Sequence, residues 1–221
     1  QAKLVAREIE NSGKRLTYVD CNAVSPQTAC EIATIIESAG GQFIDASIIG
    51  SAPGRGAQPR LYVSGPDQAL LFHLDGKGLT VKSAGPAIGD ASAIKMAYAG
   101  LTKGMMTLHT AVLLAASKLG IQDALFEEFE HSQSANLDAM RSSVPFLPAD
   151  SARWIGEMEE IAHTFSDVGV TPNFHEGAAA IFQFLAQTPY ATETRQTMDR
   201  SRTLEEALST YTSFVPDDPV G

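Results

Sequence analysis

The chain has 221 residues, 44% of them apolar, with 16 Lys and Arg against 26 Asp and Glu, a net charge of −10. That length suits one or two globular domains, and no apolar run reaches the ~20 residues of a membrane-spanning helix. The acidity argues against nucleic-acid partners, whose phosphates call for basic stripes.

Residues 2–10 pattern as a helix with Ala2, Val5 and Ile9 apolar among charged neighbours. Residues 16–20 are a short β-rich run. Ser25-Pro26 then opens a helix, because Ser25 can cap it and Pro26 suits the first helical position. Ala29, Ile32, Ala33, Ile36 and Ala39 form its apolar stripe, and Gly40-Gly41 ends it. Residues 43–49 form a strand apolar on both faces, as in a sheet covered by helices. A Gly/Pro loop at 51–59, a strand at 60–64, a short helix at 66–74 and a strand at 79–81 follow. This alternation predicts a doubly wound α/β sheet.

The character changes at Gly89. Asp90 is a good helix cap, and no strong breaker follows until Gly120. Ile94, Ala97, Leu101, Met105, Leu108, Val112, Ala115 and Leu119 recur at three- and four-residue steps, the stripe of one amphipathic helix. At ~1.5 Å per residue it is ~45 Å long, enough to bridge two domains. Helices are predicted over 121–131, 134–140, 151–165, 176–186, 191–198 and 203–211, with essentially no strand signal, and a loose Pro/Asp-rich end at 213–221. Cys21 and Cys30 fit no CxxC or metal spacing and are expected to be reduced core thiols of a cytoplasmic protein. The five histidines show no HExxH or HxxxH pattern, so no metal site is expected.

Three motifs stand out: Tyr-Val-Asp-Cys-Asn-Ala-Val-Ser-Pro at 18–26, Phe-Ile-Asp-Ala-Ser-Ile-Ile-Gly at 43–50, and Gly-Asp-Ala-Ser-Ala-Ile-Lys-Met at 89–96. In order, they resemble the strand-end, substrate-loop and catalytic-lysine segments of the 6-phosphogluconate dehydrogenase and β-hydroxyacid (3-hydroxyisobutyrate) dehydrogenase superfamily. The distal Trp-Ile-Gly-Glu-Met-Glu-Glu-Ile at 154–161 and Phe-His-Glu-Gly-Ala-Ala at 174–179 are similar to the phosphogluconate-dehydrogenase-like subgroup with its own C-terminal domain. The resemblance implies the C-terminal part of a Rossmann NAD(P)-binding domain over 1–88. A long linking helix and an all-α C-terminal domain would follow over 89–221. No Gly-x-Gly-x-x-Gly loop for a pyrophosphate occurs. That loop is therefore expected upstream of residue 1, with a chain N-terminally incomplete and inactive by itself.

The resemblance implies an oxidoreductase moving hydride between NAD or NADP and a hydroxyacid or related secondary alcohol. Lys95 would accept the hydroxyl proton, chemistry that favours a lysine withdrawn from water. The bland alternative is a surface lysine on an amphipathic helix. Asn22, Ala23 and Ser25 would line the nicotinamide, although Asn22 equally suits an Asx turn and Ser25 a helix cap. Asp20 would order the turn. Gly50, Ser47 and Tyr98 would meet the small-molecule substrate. Two helper residues depart from the pattern: the substrate-loop serine is Ile49, and the asparagine one turn after the lysine is Ala99. Lys103 reads as a solvated or interdomain lysine, His109 as a buried or interface residue, and Asn173 or His175 as helix-capping. A homodimer through the all-α domain is expected. A non-catalytic dimerisation or ligand-binding module, or an imine reductase, is the alternative.

Overall fold

The computed structural model describes residues 2–50 and 56–216. Two compact units divide the chain: residues 1–99 with 160–171, and residues 100–159 with 172–221.

The first unit is α/β, built on helix α1 (Ala2–Ser12), strand β1 (Thr17–Asp20), helix α2 (Pro26–Ser38), strands β2 (Gln42–Ile49), β3 (Arg60–Ser64) and β4 (Thr80–Gly85), and the start of helix α3 (Asp90–Lys118). A 3₁₀ turn over Gln68–Leu74 links β3 to β4. The sheet order is β1-β2-β3-β4. β1 and β2 are parallel, joined by the α2 crossover. β3 runs antiparallel to β2, and β4 parallel to β3, so this part of the doubly wound sheet is mixed. Both faces of β2 carry buried apolar residues, as its two-sided apolar pattern predicts. Phe43 joins Ala6, Ile9, Ala33 and Ile36 on the helix side, while Ile44 and Ala46 pack with Leu61 and Val63 on the other.

Ser25 caps α2 as expected, its Oγ accepting from the Thr28 amide at 3.1 Å, with Pro26 in the first position. Cys21 and Cys30 depart from expectation: both are free and exposed, one past the end of β1 and the other on the outer face of α2. The buried small residues of α2 are Ala29 and Ala33 instead.

The second unit is all-α. It contains the rest of α3, then α4 (Gln122–Ser132), α5 (Ser134–Ser143), most of α6 (Pro148–Asp167), whose residues from Glu160 on belong to the first unit, α7 (Asn173–Leu185) and α8 (Leu204–Phe214). α3 has 29 residues, about 43 Å of helix. Its orientation overturns the expected stripe. Leu101, Met105, Leu108 and Leu119 are exposed, while the buried side carries Thr107, Thr110, Leu113, Leu114 and Ala116. The threonines are tolerated inside because their hydroxyls bond within the helix: Thr107 Oγ1 donates to Gly104 O at 2.9 Å and Thr110 Oγ1 to Met106 O at 2.9 Å.

Residues 191–198 are not the predicted α-helix. A 3₁₀ turn at Pro189–Thr192 leads into turns in which the Thr194 and Thr197 hydroxyls bond each other's backbone amides. Threonine side chains here offer the backbone an alternative to the helix ladder. Arg202 pins this segment. Its guanidinium lies 3.4 Å from the Tyr190 ring centroid, pairs with Glu193, and donates to Pro145 O at 3.0 Å. α8 begins at a capping box formed by Thr203 and Glu206.

Lys103 is not solvated: it is mostly buried, paired with Glu157 and 5.1 Å from the Trp154 ring centroid. His175 is buried rather than capping α7, whose N-cap is Pro172 without a side-chain bond. His109 is buried as well.

Replacing Arg202 by Ala strands the Glu193 carboxylate and the Pro145 carbonyl, and should destabilise the fold by about 3 kcal/mol, read from urea midpoints. Burial holds His109 and His175 below the ordinary imidazole value. The unfolded chain therefore binds protons that the native histidines refuse, so stability is full above about pH 6.5 and falls as pH drops below it. Urea melts at pH 7.5 and 5.5 should show this loss, and a His109→Gln variant should show less of it.

Candidate active site

The site rests on the carboxyl ends of β1 and β2 and the first turns of α3. Asp45, near the middle of β2, is 1% exposed. Its Oδ2 accepts from the Gly89 amide at 3.0 Å, the Ser92 amide at 3.0 Å and Ser64 Oγ at 2.9 Å, and its Oδ1 accepts from Ser92 Oγ at 2.7 Å. Ser64 Oγ in turn accepts from the Ala91 amide at 3.0 Å. A sheet carboxylate thus satisfies the amides that open α3, where the helix dipole favours negative charge. Asp90, the expected cap, bonds outward: its Oδ2 accepts from the Ala87 amide at 3.1 Å.

Gly89 has φ +101°, and a Cβ there would lie 3.2 Å from Pro26 Cβ. The α3 start therefore sits directly against the β1–α2 turn, and only glycine allows that approach. From this start Lys95, half-buried, donates from Nζ to Ile48 O at 2.8 Å. The lysine amine accordingly lies at the carboxyl end of β2, beside Gly50, whose φ of +123° and 3.2 Å clearance from Pro59 Cα also require glycine.

At the end of β1, Asp20 Oδ1 accepts from both the backbone and the side-chain amide of Asn22. The turn reading of Asn22 is the one seen: it closes an Asx turn on Asp20, with its amide nitrogen tied down and its side chain exposed. Ser25 is 2% exposed. Its amide donates to Glu160 Oε2 at 2.6 Å, and Thr28 Oγ1 donates to the same oxygen at 3.0 Å. Glu160 of α6 therefore holds the α2 N-terminus, a role its place in a helical stretch gave no hint of. Ser47 is 1% exposed and its hydroxyl meets no described partner; Asp20 Oδ2 is likewise unmatched.

Asn22, Ser25, Ser47, Gly50 and Lys95 all lie at or next to the ends of β1 and β2 or on the adjoining turns of α2 and α3, and Ala23 lies half-buried between Asn22 and Ser25. Tyr98, on the next turn of α3, is exposed. Ile49 and Ala99 are both buried to 3% exposure. Sequence reasoning missed Asp45 and Glu160, because each acts on a helix distant in sequence. An aspartate in the middle of a strand rich in apolar residues is the available signal for Asp45.

Removing the Asp45 acceptor leaves buried donors unmatched. Asp45→Ala should lower stability by about 3 kcal/mol, with Asp45→Asn losing less because one acceptor oxygen remains; chemical denaturation measures both.

A family described as a domain of unknown function, DUF1932, matches residues 116–185. An uncharacterized 28.5 kDa protein of Methanothermus fervidus is 31% identical over 145 residues, 65% of this chain and 56% of that protein. The chain thus spans little more than half of that curated relative's length. By structure, the chain is similar to the Mycobacterium tuberculosis 3-hydroxyisobutyrate dehydrogenase solved with L-serine, at TM-score 0.57 and 17% identity over 94% of this chain and 76% of that one, a likeness of fold. It is also similar to the conserved protein MTH1747, of unknown function and with structural similarity to 3-hydroxyacid dehydrogenases, at TM-score 0.61 over 83% of this chain and 69% of that one. The 32% identity in that last pair goes beyond a shared fold: the chain belongs to the 6-phosphogluconate dehydrogenase and β-hydroxyacid dehydrogenase superfamily, in the subgroup with its own C-terminal domain.

Proposed function

We propose that this chain carries the catalytic lysine and the nicotinamide end of an NAD(P)-dependent oxidoreductase acting on the CH–OH group of a hydroxyacid. The observation that carries the reading is the amine of Lys95 at the end of β2, 2.8 Å from Ile48 O, on a helix anchored by Asp45. Strand ends of open α/β sheets are where ligands bind.

Asn22, Ala23 and Ser25 would hold the nicotinamide end of the cofactor. The fit rests on Asn22, whose amide nitrogen is engaged by Asp20 while its oxygen has no described donor. Bound there, the nicotinamide would supply the hydride acceptor. Lys95 takes the hydroxyl proton as the alcohol becomes a carbonyl, and returns it in reduction. Gly50 lets the backbone approach the substrate closely, Ser47 brings a buried hydroxyl with no described partner to the same strand end, and Tyr98 flanks the lysine. The protein would act in the cytoplasm as a homodimer through the all-α unit, whose α3 exposes Leu101, Met105, Leu108 and Leu119.

The buried Ile49 and Ala99, apolar where the superfamily pattern has polar helpers, favour a second reading: a dimerisation or ligand-binding module that keeps the fold without turnover. An imine in place of the carbonyl is a variant of the first reading.

The protein expressed from its whole reading frame, assayed with NAD and NADP against hydroxyacids and imines, separates these. Lys95→Ala should lower kcat by about 10²–10⁴-fold. Undiminished turnover in that variant removes lysine catalysis, and no turnover of any substrate by the unaltered protein supports the binding module.

A further inference from the structure

The end of β2 lies opposite the start of β3, with Ile49 paired to Arg60, Ser47 to Tyr62 and Asp45 to Ser64. Directly opposed residues of an antiparallel pair share one face of the sheet, with side chains in reach of each other. The Ser64–Asp45 hydrogen bond of 2.9 Å shows which face this is: the one that receives the opening turn of α3. By alternation, Arg60 and Tyr62 stand on that same face. Lys82, opposite Tyr62 on β4, places its amine 6.0 Å from the Tyr62 ring centroid, as this placement requires.

Arg60 is unusual among the described arginines. Only Arg60 and Arg202 are withdrawn from solvent, and Arg202 pairs with Glu193. The exposed Arg141, Arg153 and Arg195 are paired with carboxylates too. The guanidinium of Arg60 makes no hydrogen bond or ion pair with any described residue, although acidic residues outnumber basic ones by ten in this chain. A half-buried guanidinium with five donors unspent is poised for a planar anion.

Its position tells which anion. Ile48, whose carbonyl holds Lys95 Nζ, is one residue from Ile49, the partner of Arg60. That is about 3.4 Å along β2, and opposed Cα atoms lie about 4.5–5.5 Å apart across the ladder. Arg60 therefore rises from the residue opposite Ile49, next to the carbonyl that holds the lysine amine, so that two cationic side chains start from neighbouring positions of one strand pair. Ile49 offers no polar atom at this strand end.

We propose that Arg60 is the residue that grips the substrate carboxylate, bidentately, while Lys95 faces the hydroxyl. This rests on the hydroxyacid reading above and identifies the anionic handle of that substrate. It adds a specificity residue on β3, with Lys82 extending the positive face toward the sheet edge.

The test uses 3-hydroxybutyrate and its uncharged methyl ester, titrated calorimetrically into the chain. In parallel, phenylglyoxal modification of Arg60 is located by mass spectrometry. The acid should bind and protect Arg60, the ester should do neither, and Arg60→Gln should weaken acid binding at least tenfold. Arg60→Lys should be intermediate, keeping charge but losing the fork, and covers the case in which the glutamine variant does not fold. Lys77→Ala, a change on a remote turn, should bind as the unaltered chain does. Acid binding as tight in Arg60→Gln as in the unaltered chain, or acid that leaves Arg60 unprotected, overturns the proposal. The redox reading fails separately: acid bound through Arg60, with no turnover by the whole reading-frame product, removes that reading and leaves the carboxylate grip standing.

Discussion

A buried carboxylate with four donors organises the strand ends and the start of α3. Burying an ionised aspartate is costly unless its lone pairs are filled, and Asp45 fills them with two hydroxyls and the two amides that open α3. The same strand then holds the lysine. From Asp45 to Ile48 is three residues of strand, about 10 Å; from Ser92 to Lys95 is three residues of helix, about 4.5 Å. The four-carbon lysine stem makes up the difference, so its amine arrives at Ile48 O. One strand thereby sets both where the helix begins and where its lysine ends. Gly89, packed on Pro26, brings the β1–α2 turn into the same register.

What was legible in the sequence follows local rules. The Ser25-Pro26 start, the two-sided apolar pattern of β2 and the six-residue step from Gly89 to Lys95 are signals carried by nearby residues, and the fold repeats them. What was not legible depends on distant partners. The start of α3 looked self-capped by Asp90, because nothing nearby announces a carboxylate 45 positions upstream. The long helix turns the side with Thr107 and Thr110 inward, although Leu101, Leu108 and Leu119 outrank them on any hydropathy scale. Hydroxyls that return their hydrogen bonds to the helix are compatible with a buried face, and leucines on the far side remain for another surface. Residues 191–198 carry helical spacing, but Arg202 and its stack on Tyr190 reward a different path.

The site follows the same division. Its lysine, glycine and asparagine are visible as motif residues. Its anion-facing arginine is visible only once β3 is paired in register with β2. The replacement of polar helpers by Ile49 and Ala99 then reads less as decay than as a changed division of labour, with charge supplied from the neighbouring strand. Superfamily membership sets the chemistry available to the scaffold, and a shared fold leaves the substrate open.

The most direct measurement follows the hydride itself. The whole reading-frame product is supplied with oxidised nicotinamide cofactor and 3-hydroxybutyrate deuterated at the carbinol carbon. The account predicts deuterium at C4 of the reduced cofactor, on one face only, with a normal isotope effect on the rate and loss of transfer in Lys95→Ala. Product formed without deuterium reaching the nicotinamide, or transfer unchanged when Lys95 is removed, would contradict it.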